Sequence, residues 1–226
     1  MIKLVAFDWN GTLIADAQTV VDCSNIQQKR GFGSNKIITI KTYRDTFDIP
    51  VNKFFISLGL NPKLVKQKFK EAADVFHQEY EKRVKRCRTR KGVKTILKWL
   101  QGNSIQSVIV SNHAKERIKK QLRRLKIDKL INSTLANEHI YIAYTIKGKE
   151  KRLINYIAKN KIKPQEILVI GDAIEDIKIG KDMDAKTVAL TNGHCSNIRL
   201  KATKPDYLIN NLKELIPIVT KLNQNN

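Results

Sequence analysis

The chain has 226 residues, 42% of them hydrophobic, which suffices for one large domain or for one domain with an insertion. No segment has the apolar length of a membrane span, and the sequence opens on a core-like strand rather than a signal peptide, so we expect a cytoplasmic protein without a membrane partner. Three widely spaced cysteines argue against a disulfide framework, and a formal net charge of +22 implies a long-range attraction for polyanions.

The first predicted element is a short buried strand that ends in a carboxylate. Residues 3–7 form an apolar run, Asp8 follows it directly, and Asn10 and Gly11 open a turn. A parallel sheet presents reactive groups at the carboxyl ends of its strands in this way, although an aspartate at a strand end can also simply cap the next turn. Asp8 is therefore the first candidate site residue.

A helical insert is predicted between this strand and about Arg90. The pattern after the first strand becomes helical, and residues 45–55 indicate a turn that leads into a helix. Asn61 is a suitable N-cap, Pro62 suits the first helical position, and residues 63–83 carry apolar side chains at the spacing of an amphipathic helix.

Strands and helices alternate after Gly92, which predicts βαβ units and a doubly wound parallel sheet of the α/β class. The predicted strands cover residues 107–110, 167–170, 187–190 and 207–209. The predicted helices cover residues 93–100, 114–125, 150–160 and 174–181, with a last helix from residue 212 onward.

Polar residues follow two of these strands. Ser111 and Asn112 come after the second strand of the chain, and Asp172 and Asp176 come after the third. Because the strand ends of a parallel sheet meet at one edge, these side chains and Asp8 should surround a single crevice. Asp176 lies one helical turn beyond Asp172 and can face the same cation, and oxygen ligands of this kind suit Mg²⁺.

These motifs resemble those of the haloacid dehalogenase superfamily. Its phosphatases carry Asp-x-Asp-Gly-Thr-Leu, then a Ser or Thr after the second strand, a Lys, and Gly-Asp-x-x-x-Asp. The corresponding elements occur here in the same order, and the likeness extends from Met1 to about Leu222.

The resemblance also implies a division of the chain. It predicts an α/β core domain of residues 1–14 and 91–226, and a helical cap domain of residues 15–90 inserted after the first strand. The insert is similar to the caps of phosphoglycolate-phosphatase-like members, which close over the crevice and select the substrate.

The activity implied by the resemblance is that of a Mg²⁺-dependent phosphatase acting on a small phosphorylated metabolite. Asp8 is the expected nucleophile, since a carboxylate aligned with phosphorus can form an aspartyl-phosphate that water then opens. The magnesium ligands are expected to be Asp8, Asp172, Asp176 and the backbone carbonyl of Asn10.

The phosphate-binding residues follow from the same resemblance and from helix geometry. Ser111 and Asn112 should precede a helix, where side chains and free backbone N–H groups form an anion cradle, although both residue types are also ordinary N-caps. A lysine is needed to neutralise the phosphoryl oxygens in the transition state. Lys147 and Lys149 each match a spacing found in the superfamily, and Lys149 is favoured because it opens the helix predicted at 150–160.

Asn10 departs from the family pattern, because the phosphatases carry a second aspartate at this position. That aspartate protonates the leaving group and activates water, and losing such help typically costs about 10²- to 10⁴-fold in rate. Three explanations stay open: a leaving group that needs no proton, such as an acyl phosphate or a phosphoanhydride; another acid, such as His113 or a cap residue; or vestigial turnover. The Asp-Trp-x-Gly-Thr string is also similar to phosphonoacetaldehyde hydrolase, in which a cap lysine forms a Schiff base, and Lys53 would be the nearest candidate for it.

A binding function of a different class is the alternative. If the change at Asn10 abolished the chemistry, the basic runs at 82–91 and 115–126 could still hold nucleic acid or another polyanion. Neither run is interleaved with aromatic residues that stack on bases, so a solvated basic surface is the favoured interpretation. No oligomeric state is predicted.

Overall fold

A computed structural model describes residues 1–139 and 148–224. The strands in these ranges are β1 Leu4–Phe7, β2 Gln106–Ala114, β3 Ser133–Asn137, β4 Ile167–Gly171, β5 Lys186–Leu190 and β6 Tyr207–Ile209. They form a six-stranded sheet in the order β3-β2-β1-β4-β5-β6, and all neighbouring strands run parallel.

Helices connect and flank the strands. Between β1 and β2 lie α1 Ala17–Phe32, α2 Ile40–Thr46, α3 Val51–Ser57, α4 Pro62–Arg83 and α5 Val93–Gly102. The later helices are α6 Lys115–Leu125, α7 Lys149–Lys159, α8 Ile174–Asp182, α9 Asn197–Ala202 and α10 Leu215–Gln224. None of the helices in the described ranges combines the length and the apolar character that crossing a bilayer requires.

The sheet is covered on both faces, because side chains alternate along each strand. Val5 and Phe7 of β1 belong to the cluster that includes the apolar residues of α5, α6 and α10. Leu4 and Ala6 belong to a second cluster, which they share with apolar residues of α7 and α8. This doubly wound arrangement, with a helical cap between the first two strands, confirms the predicted fold class.

The edge strand β3 is not indicated by the sequence pattern. Its residues read Ser-Thr-Leu-Ala-Asn, and only Ala136 and Asn137 are fully buried. An edge strand has a partner on one side only and can remain polar, so it lacks the apolar run that reveals a central strand.

The position of Ser111 and Asn112 differs from the prediction. Both lie inside the extended end of β2, which continues to Ala114, and α6 begins only at Lys115, so neither is the N-cap of this helix. The register of β2 against β3 shifts between Val110 and Ala114. The side chain of Asn137 donates a hydrogen bond to the backbone carbonyl of Asn112 at 2.6 Å, which stabilises this irregular segment.

Helix α4 begins where the sequence predicts, and it packs closely against α1. Asn61 accepts a hydrogen bond from the backbone N–H of Lys63 at 2.8 Å and Pro62 occupies the first turn of α4, so the predicted helix start is confirmed. A side chain at Gly31 in α1 would collide with Ala72 in α4, so glycine permits the contact between these helices.

Two connections join the cap to the core, and they run side by side. Ile14 and Thr89 form an antiparallel bridge, and Arg90 donates from its backbone N–H to the carbonyl of Leu13 at 2.9 Å. The predicted domain boundaries fall at this pair of connections, and we propose that the connections divide the core domain from the cap domain.

The loop after β5 holds the end of α2 against the core. Arg44 donates from Nε to the carbonyl of Gly193 at 2.8 Å and from its guanidinium to that of Asn192 at 2.9 Å. Arg199 donates to the carbonyl of Phe47 at 2.9 Å. The cap is therefore closed over the carboxyl edge of the sheet.

Candidate active site

Three buried carboxylates meet at the carboxyl edge of the sheet. Asp8 follows β1, Asp172 follows β4, and Asp176 lies in the first turn of α8. One oxygen of each lies within 4.8 Å of the others. The neighbouring parallel strands β1 and β4 explain this meeting, because Asp8 also donates from its backbone N–H to the carbonyl of Ile170 at 2.8 Å.

Asp172 is held from two loops. It accepts hydrogen bonds from the hydroxyl of Thr12 at 2.6 Å and from the backbone N–H of His194 at 2.5 Å. Gly11 has a φ of 78°, and a side chain there would collide with Asp172 and with the ring of His194. Glycine at this turn thus supplies both the left-handed backbone and the space for the carboxylate.

Lys149 is the cation within this cluster. It is the first residue of α7 and only 5% exposed, and its ammonium group donates to Asp8 at 2.6 Å and also to Asp176. Burial disfavours its charge, but Asp176, Asp8 and Glu175 outweigh burial and hold the pKa of Lys149 well above its ordinary value.

The carboxylates carry more negative charge than Lys149 neutralises. Burial raises the pKa of Asp8, Asp172 and Asp176, and mutual repulsion adds to the shift, while Lys149 opposes it at Asp8 and Asp176. The pKa of Asp176 reaches about 7. Three carboxylates against one ammonium leave room for two further positive charges, so the donor set fits one hard divalent cation.

Ser111 and Asn112 lie beside this cluster, but their side chains make different hydrogen bonds. Ser111 accepts from the backbone N–H of His113 at 3.1 Å and lines the cavity described below. The side-chain amide of Asn112 donates to Glu175 at 2.7 Å. Arg152 contacts both residues, since it donates to the carbonyl of Ser111 at 2.8 Å and to the side-chain oxygen of Asn112 at 3.4 Å.

Asn10 is bound to a buried polar network that the sequence does not reveal. Its amide donates to Asp16 at 2.6 Å and to the hydroxyl of Tyr80 at 2.9 Å, and that hydroxyl donates to Asp16 at 2.6 Å. His194 lies 3.2 Å from Asp16 through Nε2 and 2.6 Å from the hydroxyl of Tyr43 through Nδ1. The network thus joins the first turn of the core to the cap helices α2 and α4.

Asp16 and His194 form a buried ion pair. Burial disfavours the charged form of both, but their hydrogen bond and mutual attraction outweigh it. The pKa of His194 rises to about 9, and the pKa of Asp16 lies below its ordinary value. Both groups are therefore charged at pH 7.

This pair predicts a loss of stability at alkaline pH. The pKa of His194 is about 9 in the folded state and 6.5 ordinarily, so the stabilisation is complete below about pH 6.5 and is lost as the pH rises through 9. In EDTA we expect the free energy of unfolding to fall by on the order of 2 kcal/mol between these limits, measured by urea denaturation.

His194→Gln should remove most of that pH-dependent fall. The matched control is His139→Gln, because the side chain of His139 is exposed. An equal fall in the natural chain and in His194→Gln would show that another group is responsible.

A cavity of about 150 Å³ lies between the cap and the carboxylates. Asp8, Ser111, Lys149 and Asp172 line it from the core, and Asn10 lies at its wall. The remaining lining comes largely from α1, α3, α4 and the segment around α2.

The sequence-based candidates are thus largely brought together. Asp8, Asn10, Ser111, Asn112, Lys149 and Asp172 line one cavity, and Asp176 contacts it through Lys149. Lys147 lies outside the described residues. Lys53 has an exposed side chain and is not among the described residues that line the cavity.

Sequence reasoning missed Asp16, Tyr80 and His194. Asp16 looks like an ordinary residue at the start of a helix, and His194 belongs to an Asn-Gly-His string that indicates a turn. The position of that turn at the same sheet edge as Asp172 was the one available signal for His194.

Comparison with known proteins supports the sequence motifs. Residues 5–190 match the family model described as haloacid dehalogenase-like hydrolase. The chain is 25% identical over 223 residues to phosphoglycolate phosphatase of Vibrio vulnificus (strain YJ016), covering 96% of each protein. It is 24% identical over 229 residues to pyrophosphatase PpaX of Bacillus mycoides (strain KBAB4), covering 98% of this chain and 99% of that protein.

Solved structures share the fold. A predicted phosphatase from Clostridium acetobutylicum superposes with a TM-score of 0.81 at 16% identity, covering 98% of this chain and 99% of that one. A haloacid dehalogenase-like family hydrolase from Streptococcus pneumoniae superposes with a TM-score of 0.78 at 17% identity, covering 96% and 98%. At such identities the likeness concerns the fold alone.

Proposed function

This chain belongs to the haloacid dehalogenase-like hydrolase family, and we propose that it is a Mg²⁺-dependent phosphatase whose nucleophile is Asp8. The supporting observation is the convergence of Asp8, Asp172, Asp176 and Lys149 on one cluster at the carboxyl edge of the sheet, although they come from four different parts of the chain. Family membership confirms the sequence-based resemblance and the expectation of a hydrolase. The similarity to a phosphoglycolate phosphatase and a pyrophosphatase supports a phosphorylated small-molecule substrate.

Each residue has a role that follows from its chemistry. Asp8 attacks phosphorus and becomes an aspartyl-phosphate, which water then hydrolyses. Lys149 and the hydroxyl of Ser111 bind the phosphoryl oxygens, and Asp16 with Tyr80 fixes the amide of Asn10.

Mg²⁺ fits the donors that surround Asp8. The carboxylates of Asp8, Asp172 and Asp176 would hold it, together with the backbone carbonyl of Asn10. When bound, the ion offsets the repulsion between the carboxylate of Asp8 and an anionic phosphoryl group.

If Mg²⁺ binds at this site, it should raise the thermal stability of the protein. A cation that binds only the folded chain stabilises it by mass action, so Mg²⁺ at about 100 times its Kd should raise Tm by roughly 5 to 10 °C. Asp172→Asn should lose most of the shift, while Asp182→Asn, an exposed change on α8, should retain it. A shift of equal size in Asp172→Asn would place the metal elsewhere.

The sequence leaves two other functions open. The phosphonoacetaldehyde-hydrolase-like reaction needs a cap lysine in the cavity, and Lys53 is exposed and does not line it. Polyanion binding through the basic runs has no specific support in the described contacts, and it becomes the preferred function if the test below fails.

The test is release of inorganic phosphate from a panel of phosphomonoesters, acyl phosphates and pyrophosphate, with Mg²⁺ or with EDTA. We expect release from at least one class of substrate with Mg²⁺ and none with EDTA. Absence of release from the whole panel, together with a salt-steep affinity for DNA or RNA, would favour the polyanion-binding function instead.

A further inference from the structure

The cap side of the active-site cavity is mostly apolar, although the chain as a whole carries a formal net charge of +22. Its apolar lining comes from three cap helices and the segment after α2, and comprises Val20, Phe47, Ile49, Val51, Phe54 and Phe76. Among the described residues, Lys149 is the only lysine or arginine that lines the cavity. The basic residues can therefore attract an anionic substrate from solution but do not contact its leaving group.

Aromatic rings wall the cavity on two cap segments. Tyr43 and Phe47 stack with their centroids 4.7 Å apart, and Phe47 meets Phe54 at 5.4 Å. On α4, Phe76 and Tyr80 stack at 5.7 Å. These rings favour a planar apolar group on the substrate, because such a group buries its apolar surface and contacts the rings directly.

A second anionic group on the substrate meets no positive side chain other than Lys149 among the described residues that line this cavity. Burial, aided by the charge of Arg117, lowers the pKa of His77 to about 3 and that of His113 to about 4, so both are uncharged at pH 7. Glu175 lines the cavity and adds negative charge. A carboxylate or a second phosphate would therefore lose its hydration without gaining a counter-charge.

The tyrosines that line the cavity are poor proton donors to the leaving oxygen, because burial raises the pKa of Tyr43 and Tyr80 well above its ordinary value. The side-chain N–H groups of Asn10 donate to Asp16 and Tyr80, so its side chain presents only its oxygen, which is an acceptor. Both ring nitrogens of His194 are engaged, one by Asp16 and one by Tyr43. The leaving oxygen must therefore depart as an anion.

Resting on the proposed phosphatase function, we infer that the substrates are phosphates joined through an acidic oxygen, that of a phenol or a carboxylic acid, to one compact apolar ring. The cavity volume of about 150 Å³ favours a compact ring, because Asp8 and Lys149 line the same cavity and the phosphoryl group must share that space. Phosphoglycolate and pyrophosphate, which carry a second anionic group, are expected to be poor substrates.

The reaction balances without a general acid. An oxygen of Asp8 forms a bond to phosphorus while the bond from phosphorus to the phenolic or acyl oxygen breaks, and the electron pair leaves on that oxygen. Water then attacks phosphorus, the bond to Asp8 breaks, and its electron pair restores the carboxylate. The products are the phenolate or carboxylate and dihydrogen phosphate, so both protons of the water end on phosphate.

Matched substrate pairs test the two parts of the inference separately. Benzoyl phosphate against acetyl phosphate isolates the ring, since both leave as carboxylates, and we expect benzoyl phosphate to have a roughly 10- to 100-fold higher kcat/KM. Phenyl phosphate against cyclohexyl phosphate isolates the acidity of the oxygen, and we expect a preference of about 10² to 10⁴ for phenyl phosphate. Phosphoglycolate and pyrophosphate complete the panel.

A binding measurement gives a readout independent of turnover. Phenylphosphonate and phosphonoacetate differ in carrying a ring or a carboxylate, and neither contains the ester oxygen that must leave. Calorimetry on the Mg²⁺-loaded protein should show at least roughly tenfold tighter binding of phenylphosphonate.

Cap variants should reverse the preference. Phe76→Arg places a cation in the apolar wall and should raise the kcat/KM ratio of phosphoglycolate to phenyl phosphate by roughly 10- to 100-fold. Val51→Lys, at the half-buried start of α3, repeats the test at a site with less risk to folding. Gln78→Arg adds the same charge to the exposed face of α4 and should change nothing.

The outcomes separate this inference from the proposed function. Release that depends on Asp8 but is fastest with phosphoglycolate or pyrophosphate overturns the inference and leaves the phosphatase in place. Equal use of both members of each matched pair also overturns it. Absence of any release that depends on Asp8 overturns both.

Discussion

Asp8→Asn should abolish phosphate release. An amide does not form the phosphoryl ester that the carboxylate forms, and removal of a covalent nucleophile lowers kcat by roughly four to six orders of magnitude. The change also leaves Lys149 without one of its two carboxylate partners. The measurement is the rate of phosphate release with Mg²⁺, using the best substrate of the panel.

The exposed variant Asp182→Asn makes the same chemical change on α8 and should retain the natural rate. A second check is the fold, since the far-ultraviolet circular dichroism of Asp8→Asn should equal that of the natural chain. If folded Asp8→Asn keeps more than about a hundredth of the natural rate, Asp8 is not the nucleophile.

Asn10→Asp should accelerate the hydrolysis of alkyl phosphates by about 10²- to 10⁴-fold in kcat/KM. The new carboxyl would lie beside the buried Asp16. In the natural chain the Oδ2 atom of Asp16 is 2.6 Å from the side-chain nitrogen of Asn10. Because two such carboxylates repel each other, the new group should hold a proton and can give it to the leaving oxygen. Cyclohexyl phosphate should gain most and phenyl phosphate least.

The control for this gain is Asn160→Asp, an exposed amide at the end of α7. It should leave both substrates unaffected. An equal gain for cyclohexyl and phenyl phosphate in Asn10→Asp would contradict a role for residue 10 in leaving-group protonation.

The central strands and their carboxylates could be predicted because local sequence determines them. β1 and β4 are continuous apolar runs, and a strand buried on both faces requires such a run. Asp8 and Asp172 follow these runs directly, so the sheet edge brings them together. The sequence left Lys147 and Lys149 open as the phosphate-binding lysine. The structure puts Lys149 against Asp8 and Asp176, and Lys147 lies outside the described residues.

The polar network around Asn10 could not be predicted, because its members are distant in sequence. Asp16 and His194 are separated by 178 residues, and Tyr80 approaches Asp16 from a cap helix 64 residues away. No local pattern encodes such a pairing. The placement of Ser111 and Asn112 could not be predicted either. They lie in the irregular end of β2, which Asn137 of the polar edge strand β3 stabilises.

Capture of the phosphorylated enzyme tests the central claim most directly. Since residue 10 supplies no base to activate water, the aspartyl-phosphate should accumulate during turnover. The natural chain, mixed with phenyl phosphate and Mg²⁺ and quenched in acid, should gain the mass of one phosphoryl group on the peptide that contains Asp8, and Asp8→Asn should gain none. Phosphate release without that adduct, or an adduct on another residue, would contradict the assignment of Asp8 as the nucleophile.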